Sequence, residues 1–191
     1  AGAFTLFELA RYNNALPMGD QGLILLPHMA SLGLGLDANA TIANTEPYIA
    51  IAAFHLVSSA VLGAAGIWHT LRAPKDLSKA EGRAQKFHFE WDDAKKLTFI
   101  LGHHLIFLGL GVIAFVEWAK HHGIYDTAIG AVRQVEPNID LGMVWGYQTN
   151  FLSINSLEDV MGGHAVLAFI LTIGGGYGIS FQVPLGRSRR F

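Results

Sequence analysis

Three unbroken apolar stretches, each more than twenty residues long, constrain this chain more than any other feature. Residues 48–71 read YIAIAAFHLVSSAVLGAAGIWHTL, 97–119 read LTFILGHHLIFLGLGVIAFVEWA and 160–183 read VMGGHAVLAFILTIGGGYGISFQV. About 20 helical residues cross a hydrocarbon core about 30 Å thick. Lipid offers no water to the backbone, so each stretch must satisfy its own amides and carbonyls as a helix. One such stretch also describes the buried core helix of a soluble domain, but three within 191 residues do not. Charged residues form only 15% of the chain, against roughly 25% in soluble domains. The sequence therefore predicts an all-α membrane protein, a bundle of transmembrane helices.

The basic residues orient it. Arg72, Lys75, Lys79, Arg83, Lys86, Lys95 and Lys96 lie in the 72–96 connection, and Arg187, Arg189 and Arg190 in the tail. The opposite connections hold only Arg11, Lys120 and Arg133. Lysine and arginine favour the cytoplasmic side, which places 72–96 and the tail there and 12–47 and 120–159 across the membrane. The opening AGAFTLFELA is apolar but too short to span, and reads as the end of a helix whose first half is missing. The chain is thus expected to be a fragment. GLILLPHMASLG (22–33) is apolar but too brief to cross, which suits an interfacial segment. A net charge of −2 argues against nucleic acid as a partner, and the absence of cysteine removes disulfides and thiolate chemistry. No nucleophile, base and acid stand in a catalytic arrangement, so no enzyme is expected.

Polar side chains at membrane depth usually hold something, and neutral imidazole is the commonest side-chain metal ligand. His55 and His69 are fourteen residues apart on one helix, an advance of about 21 Å that falls roughly 40° short of four turns. They share a face, near opposite membrane surfaces, and could ligate two metal centres at two depths. His164 stands near the non-cytoplasmic end of the last span, at the depth of His55. Fourteen residues beyond it, where a second ligand would match His69, the sequence has Gly178. His103 and His104 point about 100° apart, so one of them at most addresses a given ring. His121, His122 and His88 read as solvated or loop residues, and His28 is ambiguous.

Two metal-centred cofactors fit such a pattern. A bis-histidine haem needs a ligand on each side of the ring. His55 with His164 would serve one haem of an electron-transfer protein, but Gly178 leaves His69 without a partner. The magnesium of chlorophyll commonly takes one axial ligand, and a macrocycle that fills four positions lets histidine complete the fifth, against the ion's usual preference for oxygen. Unpaired histidines favour chlorophyll.

The runs GLILLPHMASLG (22–33), FHLVSSAVLGAAGIWHTLRAP (54–74), LGHHLIFLGLG (101–111) and NSLEDVMGGHAVLAFILTIGGG (155–176) resemble the six-helix chlorophyll-binding antenna family. That family comprises the smaller inner-antenna subunit of photosystem II and the iron-stress-induced and prochlorophyte-type accessory antennae. LSKAEGRAQKFHFEW (77–91) and the doubled histidine of LGHHL resemble the accessory members. The resemblance implies helices two, three and four as complete spans, preceded by the end of helix one at 1–10. It implies light harvesting, with excitation passed to a photosystem I or II core beside neighbouring antenna copies. Chlorophyll, carotenoids, membrane lipids and a thylakoid location in an oxygenic photosynthetic bacterium come with it. The implied axial ligands are His55, His69, His104 and His164. Relatives carry a Trp-His pair where this chain has Gly178, so the pigment there is lost or held through water or a carbonyl. His28 matches a family position, and no ligand role is carried over to it.

Overall fold

The structure, a computed structural model, describes residues 1–142 and 154–181. Pro184, the basic tail residues and the last two residues of the 160–183 stretch lie outside the described residues, as do 143–153 of the second connection. The architecture is predominantly helical, with three helices among the described residues long and apolar enough to cross a membrane. These are α3 (Glu46–Leu71), α4 (Ala94–His121) and α5 (Leu157–Phe181), preceded by α1 (Gly2–Arg11) and the short α2 (Leu26–Ser31).

Each long helix begins two or three residues before its apolar run, for reasons of end chemistry. Pro47 lies within the first turn of α3, where a missing N–H costs nothing. The Asn44 side chain accepts from the Glu46 amide at 2.9 Å. Asp93 caps α4, its Oδ1 accepting from the Lys96 amide at 3.0 Å. Ser156 precedes α5, whose first turn carries Glu158 and Asp159 beside the positive end of the helix dipole.

The chain divides into two compact units, 1–75 with 122–134 and 76–121 with 135 onward. In the first, α1 packs on α3, and Leu23, Leu26, Met29, Ile42 and Tyr48 form a core under the 12–47 connection. Two phenols pin that connection: the Tyr48 hydroxyl donates to the Leu34 carbonyl at 2.6 Å, and the Ile42 amide donates to the Tyr12 hydroxyl at 3.0 Å. A small antiparallel hairpin, β1 (Ile124–Asp126) and β2 (Ala131–Arg133), completes this unit. The sequence reading did not anticipate it. Its three-residue strands are too short for an alternating pattern, and Arg133 Nε donates to Asp126 Oδ2 at 2.6 Å across it.

In the second unit α4 and α5 pack along their length. Glycines set their closest approach: a Cβ built on Gly102 would stand 2.9 Å from the Gly175 carbonyl oxygen, and one on Gly109 2.9 Å from that of Ala168. Backbone contact of this kind is the usual way for helices to associate in lipid.

Candidate functional site

A helical histidine can donate Nδ1–H to the carbonyl four residues earlier, and four of the span histidines do so. His55 Nδ1 lies 2.7 Å from the Ile51 oxygen, His103 2.7 Å from that of Phe99, His104 2.7 Å from that of Ile100 and His164 2.7 Å from that of Val160. A carbonyl only accepts, so the bond assigns the proton to Nδ1 and leaves Nε2 as a neutral donor of its lone pair. Metal-ligating histidines characteristically carry such an outer partner, which fixes tautomer and ring orientation. His28 on α2 has the same bond, to Ile24 at 2.6 Å.

His69 differs. Among the described residues it has no such bond, and its ring stands edge-on to Trp68 at 5.0 Å and 89°. Of the remaining three, His122 Nδ1 lies 3.0 Å from the Gly123 carbonyl oxygen, whereas His88 Nε2 lies 2.6 Å from Glu90 Oε1 and His121 Nε2 3.0 Å from Glu117 Oε2. Those carboxylates occupy the nitrogen that a metal would need.

The surroundings of the span histidines are apolar and uncovered. Among the described residues, only 6%, 17% and 11% of the most apolar stretches of α3, α4 and α5 are buried, which leaves the rest for lipid, further helices or bound apolar groups to cover. His55, His69 and His104 are exposed on these surfaces, and His164 is half-buried with its ring edge-on to Phe115 of α4 at 5.6 Å. A Cβ on Gly63 or Gly66 would meet nothing within 4 Å. The shallow apolar hollow they form with Leu62, Ile67, Thr70 and Leu71, about 360 Å³, lies within one to two turns of His69.

A cleft of about 250 Å³ between α4 and α5 includes Thr98, Gly102, Gly174, Tyr177 and Gly178. At Gly178 an added Cβ would touch only Thr98 Cγ2, at an ordinary 3.5 Å. The position therefore admits a Cβ without displacing its neighbours.

Among the described residues, no three His, Asp or Glu side chains converge on one point. A bare divalent ion would require several protein ligands. A metal already held by four macrocycle nitrogens requires one. Single imidazoles with a fixed Nε2 donor, set in apolar uncovered helix surface, fit a metallo-tetrapyrrole and do not fit a protein-caged ion.

Two carboxylates outside the long helices tie loops. The Thr41 hydroxyl, then the Thr41 and Asn39 amides, hold the Asp37 carboxyl below its ordinary range and tie the loop from 37 to 41. The Ser78 hydroxyl and amide do the same for Asp76 at the start of the turn that follows it. A cavity of about 540 Å³ lies in the first unit among residues such as Tyr12, Leu16, Pro27, Thr41 and Tyr125. None of the candidate histidines lines it, so it is not part of the imidazole array.

Sequence reading singled out His55, His69, His104 and His164; the carbonyl bond sets His103 and His28 beside three of them. That signal was available in principle, because any histidine inside a helix has a carbonyl four residues back.

The family described as Photosystem II protein matches residues 1–191. The chain is 62% identical over 184 residues to the divinyl chlorophyll a/b light-harvesting protein PcbC of Prochlorococcus marinus strain SARG, covering 94% of this chain and 52% of that protein. It is 55% identical over 193 residues to PcbA, of the same description, from strain MIT 9313, covering 100% of this chain and 52% of that protein. PcbB of strain NATL2A is 62% identical over 183 residues, covering 94% and 51%. The chain spans about half the length of the curated relatives it matches.

Proposed function

The chain belongs to the photosystem II protein family, and on that premise we propose that it is the pigment-bearing part of a light-harvesting antenna. His55, His69, His104 and His164 are the axial ligands of chlorophyll magnesium. The names of the relatives support chlorophyll as the pigment class. The single observation that carries the reading is the set of carbonyl-fixed imidazoles whose Nε2 donors stand on apolar helix surface that the protein leaves uncovered.

Chlorophyll, when bound, supplies the absorption and the excited state. The chain's own residues supply position. The carbonyls of Ile51, Ile100 and Val160 fix each ring plane, and α3 separates His55 from His69 by about 21 Å along its axis. Gly63 and Gly66 leave open backbone against which a flat macrocycle would rest, and the aliphatic and aromatic side chains around it would exclude water. No bond in a substrate is made or broken. Excitation passes to a photosystem core, I or II, beside neighbouring antenna copies in the thylakoid membrane. Carotenoids and lipids fill the remaining apolar surface. This segment supplies helices two to four of a six-helix antenna and the end of helix one.

The test is pigment stoichiometry. His55→Leu and His164→Leu, each in the full protein purified from a chlorophyll-producing host, should lose about one chlorophyll per chain with helical content unchanged. A full pigment complement in both would defeat the assignment. A haem-type absorption spectrum, or a colourless protein, would defeat the function.

A further inference from the structure

We infer that His28, outside the three long helices, is a further axial ligand for a magnesium tetrapyrrole; this rests on the pigment reading above and extends it to α2. Three observations converge on this residue.

The first is the donor. His28 Nδ1 lies 2.6 Å from the Ile24 carbonyl oxygen, which gives the same tautomer as in His55, His104 and His164 and an outward Nε2 lone pair. His28 itself is exposed. His88 and His121, also near or beyond helix ends, have given that nitrogen to carboxylates.

The second is the setting. Ile24, one turn before His28, is 59% exposed, and Leu32, one turn after it, is 36% exposed. Leu26, Met29 and Ala30 on the other side of α2 are buried in the core. His28 therefore lies on the exposed side of α2, four residues from an uncovered aliphatic side chain in each direction along the chain, a setting suited to the face of a macrocycle.

The third is rigidity. The carboxylate of Glu8, a residue only 1% exposed, accepts from the Ile24 amide at 2.8 Å, from Leu25 at 3.0 and 3.1 Å and from Leu26 at 2.9 Å. These are the unpaired donors at the start of α2. A buried charge with this many amide partners fixes the residue whose carbonyl orients His28. A ligand must be held in one geometry by an outer shell, and a solvated histidine has no such need.

The experiment compares pigment counts in the full protein purified from a chlorophyll-producing host. His28→Leu should carry one chlorophyll fewer per chain, with helical content and the other pigments retained. His28→Gln places an amide oxygen near the former Nε2, and magnesium accepts oxygen, so this variant should keep the full count. A full complement in His28→Leu, while His55→Leu loses one pigment, would overturn this inference alone. Equal loss in the Gln and Leu variants would refer the effect to packing and overturn it as well. Full complements in both His28→Leu and His55→Leu would instead overturn the pigment reading beneath it.

Discussion

Gly174, Gly175 and Gly176 are adjacent on α5, yet the structure assigns them opposite responses to a single methyl group. A Cβ on Gly175 would lie 2.5 Å from the Gly102 carbonyl oxygen and 3.0 Å from Ile106 Cγ1, whereas one on Gly174 or Gly176 would meet nothing within 4 Å. Ordinary contact begins near 3.4 Å, so Gly175→Ala forces α4 and α5 apart by about 1 Å at their closest crossing. A gap of that size forfeits a quarter to a half of the dispersion attraction of the atoms facing it, and overpacking of a close contact costs about 1–3 kcal/mol. At the open positions the same change removes a helix-weakening residue, worth up to about 1 kcal/mol. That gain is common to all three changes and cancels between them, so Gly175→Ala should fall about 1–3 kcal/mol below Gly174→Ala and Gly176→Ala. The assay is unfolding by sodium dodecyl sulfate titrated into mixed micelles, followed by far-ultraviolet circular dichroism. Equal stability of the three variants would refute the packing argument, as would greater damage at Gly174 or Gly176.

Three further outcomes are expected. His104→Leu should lose about one chlorophyll while His103→Leu keeps the full count, because the half-buried His103 ring tilts onto Phe99 at 4.2 Å whereas His104 is exposed; extracted pigment per chain decides it. Gly178→His should gain about one chlorophyll if that position seats a pigment, since a Cβ there meets only Thr98 Cγ2 at an ordinary 3.5 Å; an unchanged count would show that it does not. The Asp37 carboxyl is held below its ordinary value by Thr41 and Asn39, so its contribution to the loop is present above the unfolded value near 3.9 and is lost as pH falls through the lower folded value. The loop should resist proteolysis unchanged from pH 8 to pH 5, and Asp37→Asn should open it at pH 7.

Much of this fold is legible because lipid leaves a long apolar segment no alternative to helix. The three spans are recovered to within three residues at each described end, and the errors have local causes. Pro47 reads as a boundary, but a proline in the first turn of a helix breaks no bond, so α3 begins before it. The hairpin from Ile124 to Arg133 is invisible for the opposite reason, because three-residue strands held by the Asp126–Arg133 bridge carry no periodic signal. Glu8 shows a third kind of failure. A carboxylate in the apolar run AGAFTLFELA looks like an anomaly of α1, and its meaning lies sixteen to eighteen residues away in the amides it caps.

The glycines mark where sequence stops and coordinates become necessary. Glycine in a membrane helix permits close approach of either another helix or a flat ring, and the letters GAAG, GLG or GGG do not say which. Coordinates separate the two uses. Gly102, Gly109 and Gly175 have backbone within 3 Å of where a Cβ would be, and they join α4 to α5. Gly63, Gly66, Gly111, Gly174 and Gly176 have nothing there. An open glycine in a helix interior costs up to about 1 kcal/mol relative to alanine, and no contact within the chain offsets that cost. On α3, Gly66 lies about 20° from His55 and about 60° from His69 around the helix, so the side from which these histidines project is open at that glycine. The glycines that join α4 to α5 are thus distinct from the open ones, and one methyl group at a time can separate the two sets.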